Sequence, residues 1–166
     1  MTSSAGTDAR LDRVILEGDA ATSLSPYIEA DREQAVADLA AANYFAPLTG
    51  GGGAGPYALH LSIQEGRLIF DIRSVDGVPL TAIGLALGPF RRLVKDYQIL
   101  VDSHIKAVEE GREQRIQAID MGRRGLHNEG AELMTQRLAQ KIDIDFETAR
   151  RLFTLVCVLH QRVSSR

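Results

Sequence analysis

The chain has 166 residues, of which 45% are hydrophobic and 25% are charged, and its mean hydropathy is −0.08. These values are typical of a soluble globular domain, which at this length buries roughly 68–70% of its unfolded surface. The single cysteine, Cys157, excludes an intramolecular disulfide framework and a metal site made only of cysteines. No apolar run reaches the ~18–20 residues of a membrane span, and residues 1–6 lack the basic and apolar regions of a signal peptide. The composition therefore predicts a cytoplasmic protein without indicating what it does.

Charge is distributed unevenly along the chain. The formal net charge of −3 divides into −6 for residues 1–83 and +3 for residues 84–166. Sixteen of the 19 basic residues are arginine. Arginine suits bidentate binding of carboxylate or phosphate, although a genome-wide codon bias would also produce this count. Because the isoelectric point is near 5.8, general nucleic-acid binding is not expected.

The N-terminal segment is small and polar, which predicts a disordered tail over residues 1–9. One α+β domain is expected over residues 10–166. β-Branched and apolar residues around Val14 predict a short strand within residues 10–18. The pattern leaves open whether this strand joins a sheet, and in which direction.

Residues 26–45 carry apolar side chains at helical spacing and predict an amphipathic helix. The capping signals leave open whether it begins at Ser25 or Asp31. A glycine-rich segment, residues 49–56, contains the pattern G-x-G-x-x-G. Because it follows a helix and precedes a strand, it is interpreted as a flexible loop and not as a dinucleotide-binding turn.

Residues 57–87 predict a three-stranded antiparallel meander, since apolar and polar residues alternate over each strand. If Glu65-Gly66 and Asp76-Gly77 are two-residue turns, all apolar pairs fall on one face. These pairs are Leu59 with Ile72, Leu61 with Phe70, Ile63 with Leu68, Phe70 with Ile83, and Leu68 with Leu85. On the other face His60 lies opposite Asp71, as a cross-strand ion pair or as a base and its orienting carboxylate.

Helices are predicted for most of the remaining chain. Gly88-Pro89 starts a helix that Gly111 ends. Its apolar stripe consists of Phe90, Leu93, Val94, Tyr97, Leu100, Val101, Ile105 and Val108. A further helical pattern runs from Arg112 to Leu138, where glycines at 122, 125 and 130 leave its continuity open.

The C-terminal part of the chain is its most apolar part. Residues 141–145 are predicted to be a connector or a brief strand, and Asp145 or a neighbour caps the last helix. Residues 152–159 are apolar on nearly all sides and should be the most buried. The predicted architecture is a small antiparallel β-meander packed on one face by helices, with the apolar C-terminal helix at the centre.

Two basic residues stand where a helix dipole disfavours cations. Arg91 and Arg92 occupy the first turn of the predicted helix, with Lys95 one turn further on. One interpretation is an anion site completed by the helix-terminal N–H groups. The other is an ordinary pair between Arg92 and Asp96.

The densest group of reactive side chains lies within residues 120–130. If this segment is helical, Asp120, Arg124, His127 and Ala131 share one stripe, with Arg123 beside it. His127 would then be a candidate general base oriented by a carboxylate, for which Asp120 and Glu129 are the candidates. The alternative is that the glycines permit close packing, the arginines form salt bridges, and His127 is a hydrogen-bonded structural residue.

Neither a metal site nor a cofactor site is predicted. His60, His104, His127 and His160 lie on separate elements without ligand spacing. Cys157 lies within the most apolar helix, so it should behave as a small buried hydrophobe with a raised pKa and little reactivity.

Five runs of the sequence resemble an uncharacterised alphaproteobacterial protein family, and the resemblance extends over about residues 10–162. They are Gly-Pro-Tyr at 55–57 and residues 67–73, 89–97, 119–130 and 145–155, of which 119–130 is the most specific. The resemblance implies a small cytoplasmic bacterial protein. It implies no activity, cofactor or catalytic residue.

Two functions are considered. The first is a non-enzymatic interaction or regulatory module that binds a protein partner or small anion through Arg91, Arg92, Lys95, Arg123 and Arg124. The second is an enzyme acting on a phosphorylated or carboxylated metabolite, with His127 as general base. Antiparallel helices joined near Gly111 should bring the two arginine groups together, despite a mismatch of ~10 Å in helical rise.

Overall fold

The computed structural model describes residues 9–18, 25–48 and 55–164, with side chains up to residue 161. The predicted tail, except Ala9, and the glycine-rich loop, except Gly55 and Pro56, lie outside the described residues. The elements in chain order are β1 (Leu11–Leu16), α1 (Pro26–Ala41), β2 (Phe45–Pro47), β3 (Tyr57–Gln64), β4 (Arg67–Ser74), β5 (Pro79–Ala86), α2 (Arg91–Glu109), α3 (Glu113–Leu138), β6 (Ile142–Ile144) and α4 (Phe146–Ser164). The predicted α+β class is confirmed.

The main sheet has four strands in the order β1-β3-β4-β5. The predicted meander register is confirmed, with Leu61 opposite Phe70 and Phe70 opposite Ile83. A bulge after Ile72 shifts the last pairs, so the second turn is wider than predicted. β1 pairs in parallel with the far side of β3, which answers the question of its placement and makes the sheet mixed.

The two faces of the sheet differ as the alternation predicts. Leu61, Phe70 and Ile72 are fully buried, whereas His60 and Asp71 on the other face are partly exposed. The buried face joins the helices in one hydrophobic cluster. Within the part of the chain that the structure describes, the helices therefore cover one face of the sheet only.

Strand β5 forms one edge of the sheet, and a side chain of β4 crosses it. The Leu87 N–H bonds to Gly66 O, so by alternation the Gly84 carbonyl points to the free edge. Arg67 Nη2 donates to this carbonyl at 3.3 Å. A Cβ on Gly84 would lie 2.8 Å from Arg67 Nη2, so the absence of a side chain at Gly84 makes room for the guanidinium.

Helix α1 begins at Pro26, where Ser25 Oγ accepts the Ile28 N–H at 3.3 Å. The expected continuation to Phe45 is wrong. Asn43 Nδ2 donates to the Leu39 carbonyl at 2.7 Å, which satisfies a helix-terminal acceptor after the helix ends. The chain then turns into β2, which pairs antiparallel with β6 and confirms the brief strand predicted in residues 141–145.

Helices α2 and α3 differ from expectation in two details. The apolar stripe of α2 is inward-facing except for Val108, which is 53% exposed because the buried position of the last turn is taken by Ala107. Helix α3 is continuous through all three glycines. At Gly130 a Cβ would meet the Phe153 ring at 2.4 Å, so this glycine permits the close approach of α3 and α4.

Helix α4 is the centre of the helical layer, as predicted. Asp145 Oδ1 caps it by accepting the Thr148 N–H at 3.0 Å. Residues 152–159 are all buried, and the helix contacts α1, α2, α3 and β3. Within the described ranges, no helix is long and apolar enough to cross a membrane.

Candidate anion-binding cavity

A cavity of about 370 Å³, open to solvent, lies between α1, α3 and α4. Helix α1 contributes aspartates, α4 contributes arginines, and α3 contributes both kinds of charge and a histidine. Its charged wall consists of Asp31, Asp38, Asp120, Arg123, Arg124, His127, Arg150 and Arg151. The cavity is therefore polar although it borders the hydrophobic core.

Asp31 anchors the inner end of this wall. It lies on the apolar stripe of α1 and is 8% exposed. Tyr97 donates its hydroxyl to Oδ2 at 2.7 Å, and Arg123 Nη2 pairs with Oδ1. Burial, together with the Asp31 carboxylate, raises the pKa of Tyr97, so the phenol stays protonated as a donor.

Arg123 is already paired with Asp31. Its guanidinium pairs with Asp31 and also lies over the Tyr27 ring, 5.4 Å from the ring centroid. Both contacts tie α3 to α1. Arg123 therefore positions the wall and has little freedom to hold a ligand.

Some of the N–H groups of the α4 arginines, Arg150 and Arg151, are already hydrogen-bonded to carboxylates. Arg151 Nε donates to Asp38 Oδ2 at 3.1 Å and its Nη1 donates to Glu147 Oε1 at 2.6 Å. Arg150 Nη1 donates to the same Glu147 oxygen at 3.3 Å. The Arg150 Nε is sealed from solvent and has no acceptor. An unsatisfied buried donor of this kind costs about 1–3 kcal/mol.

Arg124 differs from the other arginines of the wall. It is exposed at the cavity and forms no ion pair with any described residue. The nearby Asp120 Oδ1 lies 3.9 Å from His104 Nε2, whose ring packs on Tyr27. Among the described residues of this wall, Arg124 is therefore the cation without a carboxylate partner that can contact a ligand.

His127 presents a hydrogen-bond acceptor. Its Nδ1 lies 2.8 Å from the Arg123 carbonyl oxygen, and because a carbonyl only accepts, Nδ1 carries the hydrogen. Burial lowers the pKa of His127, and the Arg123 and Arg150 charges lower it further against the opposing effects of the Arg123 carbonyl and Asp31. The ring is therefore neutral near pH 7, with its lone pair on Nε2.

The predicted site is partly assembled by the fold. Asp120, Arg124 and His127 line one cavity with Arg123, as the helical stripe predicts. The expected carboxylate orienter is wrong, because the Arg123 carbonyl orients His127. Glu129 lies outside the cavity wall and pairs with Arg92.

The arginines at the start of α2 lie elsewhere. Arg92 lines a groove of about 420 Å³ with Glu129 and pairs with Asp96 at 3.1 Å, which is the simpler of the two interpretations given above. Neither Arg91 nor Lys95 belongs to the cavity wall. The expected meeting of the two arginine groups is wrong. Antiparallel packing places Arg92 opposite Glu129, five residues or ~7.5 Å of rise beyond Arg124.

The remaining candidates are structural in character. His60 Nδ1 lies 3.4 Å from Glu17 Oε1, and Asp71 accepts from Arg73 at 2.7 Å, so the expected pair of His60 with Asp71 is replaced by two others. No group of three or more metal-binding side chains occurs among the described residues. Cys157 is fully buried, and burial raises the pKa of its thiol, as predicted.

Sequence reasoning missed Asp31, Asp38, Arg150 and Arg151 as members of the site. A signal existed for Asp31, because it interrupts the inward stripe between Ile28 and Ala35 with a charge. The arginines of α4 carry no local signal. They become part of a site only through the packing of α4 against α1 and α3.

Comparison with known proteins gives the chain its family. Residues 8–162 match the model of the uncharacterised protein family UPF0262. A UPF0262 protein of Granulibacter bethesdensis is 71% identical over 160 residues, covering 93% of this chain and 91% of that protein. Those of Acidiphilium cryptum and Maricaulis maris are 59% and 49% identical, covering 92% and 96% of this chain and 93% and 98% of their own. No solved structure matches.

The chain therefore belongs to the UPF0262 family, whose members include these alphaproteobacterial proteins. This agrees with the resemblance seen in the sequence.

Proposed function

We propose that the protein is a non-enzymatic module that binds a small anionic ligand in the cavity between α1, α3 and α4. The observation that carries the proposal is Arg124, a cation on the cavity wall without a carboxylate partner among the described residues. A cytoplasmic location and a single domain over residues 10–166 are part of the same proposal.

The use of the neighbouring charges supports this function. Asp31 is occupied by Arg123 and Tyr97, and Asp38 is occupied by Arg151. An oxyanion can therefore approach Arg124 without displacing an existing pair. A purely structural role explains Arg123 and Arg151 but gives Arg124 no partner.

The size of the cavity suits a metabolite. Small-molecule sites occupy about 300–1,000 Å³, and this cavity of about 370 Å³ lies at the lower end. Guanidinium groups recognise phosphate and carboxylate by charge-assisted hydrogen bonds. The ligand class is therefore a small phosphorylated or carboxylated compound.

Calorimetric titration with inorganic phosphate, glycerol phosphate and succinate tests the proposal. We expect Arg124→Gln to weaken binding of the preferred anion at least tenfold, about 1.4 kcal/mol. Arg115→Gln is the matched control, since Arg115 is an exposed arginine of the same helix outside the cavity wall, and it should leave affinity unchanged. Binding of none of the three anions, or equal losses in both variants, contradicts the proposal.

An enzyme acting on a phosphorylated or carboxylated metabolite is the second candidate, favoured by the neutral His127 on the same wall. The wall offers no free nucleophile among the described residues, because the Thr154 hydroxyl donates to the Arg150 carbonyl at 3.1 Å. Phosphorus NMR of glycerol phosphate incubated with the protein distinguishes the candidates. Turnover that His127→Gln abolishes would establish the enzyme, whereas an unchanged spectrum with measurable binding supports the module.

A further inference from the structure

We infer that the cavity selects oxyanions that still carry a proton, namely hydrogen phosphate or the singly protonated phosphate of a phosphomonoester, over fully ionised oxyanions of the same shape such as sulfate. This inference rests on the proposed function and specifies its ligand.

The inference starts from the unpartnered atom of His127. The residue is 94% buried, with 6% exposed, and it lines the cavity. Nε2 has no hydrogen-bond partner among the described residues. Two polar side-chain atoms without a partner, Gln98 Oε1 and Arg150 Nε, are sealed from solvent. His127 Nε2 is not one of them, so it keeps access to the cavity.

A neutral ring cannot offer a donor to the cavity without losing a bond. The tautomer with its hydrogen on Nε2 would place an N–H at the cavity, but the Nδ1 lone pair would then face the Arg123 carbonyl and the 2.8 Å hydrogen bond would be lost. Tyr97 and Phe153 also hold the ring edge-on, with centroids 6.1 and 5.8 Å away. The fixed ring therefore presents a lone pair.

The groups around the ring carry charges of both signs, and burial together with the arginines outweighs the carboxylates. Arg123 and Arg124 on its own helix, with Arg150 and Arg151 on α4, oppose a further positive charge. The carboxylates that favour one are Asp31, which is already paired with Arg123 and Tyr97, Asp38, which is paired with Arg151, and Asp120, whose Oδ1 lies 3.9 Å from His104 Nε2. Tyr97 on α2 is a protonated phenol that donates to Asp31 and not to His127.

A ligand in the cavity can therefore contact a hydrogen-bond donor, the Arg124 guanidinium, and a hydrogen-bond acceptor, His127 Nε2, on the same face of α3. Arg124 and His127 are three residues apart on α3, a spacing that makes side chains neighbours. An oxyanion held by Arg124 can turn a P–OH group toward Nε2 and form a second hydrogen bond. A sulfate oxygen would instead place a lone pair against the nitrogen lone pair, leaving both unsatisfied.

Proton uptake gives a second signature. A phosphomonoester loses its second proton near pH 6, whereas the complex keeps that proton between oxygen and Nε2. Binding of a phosphomonoester above about pH 6 must therefore capture a proton, and its affinity should fall by up to tenfold per pH unit. Inorganic hydrogen phosphate still carries a proton in this range, so it binds without this uptake. Sulfate affinity should not change over the same range.

The test is calorimetric titration of the full chain with inorganic phosphate, glycerol phosphate, sulfate and the phosphodiester dimethyl phosphate. We expect phosphate or glycerol phosphate to bind at least tenfold more tightly than sulfate and dimethyl phosphate near pH 6. The relative affinities of phosphate and glycerol phosphate identify the free or the esterified form. We expect His127→Leu to lose the preference and the pH slope, while the control Arg115→Gln keeps both.

If His127→Leu fails to fold, His127→Gln replaces it, since an amide can donate to sulfate and should bring the two affinities together. Equal affinity for phosphate and sulfate in the unmodified protein, or a preference that survives loss of the imidazole, overturns the inference while the anion site stands. Absence of binding by all four anions overturns the proposed function itself.

Discussion

Two groups of arginines on neighbouring helices have opposite surroundings. At the start of α2, the Arg92 side chain is 64% exposed and pairs with both Asp96 and Glu129 in the groove. On α3 and α4, the cavity arginines are less exposed, apart from Arg124, and share their wall with a buried histidine and a buried aspartate. Both groups look alike in sequence, as pairs of adjacent arginines.

The difference shows which surroundings leave an arginine available to bind an anion. In the groove of α2 the carboxylates next to Arg92 occupy its guanidinium, and solvent screens what is left. In the cavity, low exposure strengthens the charges of Arg123, Arg150 and Arg151, and Asp31 and Asp38 are paired with Arg123 and Arg151, which leaves Arg124 without a carboxylate partner among the described residues. Three variants and one change of pH test whether the two arginine groups differ in this way.

The largest effect is expected from Asp31→Ala. It leaves the Tyr97 hydroxyl and Arg123 without their acceptor inside the protein, and we expect a loss of about 3 kcal/mol in the free energy of unfolding. Urea unfolding measures this. Glu129→Ala, which removes an exposed partner of Arg92, is the control and should cost less than about 1 kcal/mol. Equal losses would mean that the two groups do not differ in energy.

Gly130→Ala should have the next largest effect. Its Cβ would lie 2.4 Å from the Phe153 ring, and overpacking of this kind costs about 1–3 kcal/mol. Gly125→Ala is the control on the same helix, since its Cβ meets nothing and should stabilise the protein by about 0.5–1 kcal/mol. Thermal unfolding of both variants separates them, and a destabilising Gly125→Ala would contradict the described packing.

Acidification should lower the free energy of unfolding. Burial lowers the pKa values of His127 and His160 in the folded state. The unfolded chain therefore binds more protons below about pH 6.5, and stability falls as pH drops from there through the folded pKa values. Each histidine contributes at most about 1.4 kcal/mol per pH unit. Urea unfolding at pH values above and below this point should show the fall, and His127→Gln should reduce it.

Arg92→Ala should have the smallest effect. Its two carboxylate partners are exposed, so the loss in unfolding free energy should be below about 1 kcal/mol. Anion affinity should not change, because Arg92 lies outside the cavity. Calorimetry with phosphate checks this, and a loss as large as that of Arg124→Gln would move the site to α2.

The register of the meander could be predicted as far as the bulge after Ile72 because its information is local. Two glycine-containing turns and an alternating pattern set the register independently, and both placed Phe70 on the buried face. The position of β1 could not be predicted, since parallel pairing with β3 depends on a connection of 40 residues, 17–56. Asn43 shows the same limit, because its bonds to Leu11 and Leu39 ended a helix that periodicity alone would continue.

The site was predicted only where it lies on one helix. The spacing of Asp120, Arg124 and His127 put them on one stripe, and the continuous helix α3 keeps them there. Asp38 and Arg151 come from helices far apart in sequence, so their pairing depends on tertiary packing. Counting residues to the turn at Gly111 estimated the offset along the helix axes between Arg92 and Arg124. It did not reveal that Glu129 is the residue of α3 that lies opposite Arg92 and pairs with it.

The crossing of Arg67 over Gly84 has a consequence for how the molecule behaves in a crowded solution. An eight-residue edge strand without a charged residue of its own is a template on which another chain can extend the sheet. The guanidinium occupies a carbonyl that an incoming strand would need, and its positive charge repels a second copy bringing the same arginine. Gly84 contributes nothing to the core, but the absence of a side chain there makes room for the Arg67 guanidinium, which hinders fibrous self-assembly through this edge.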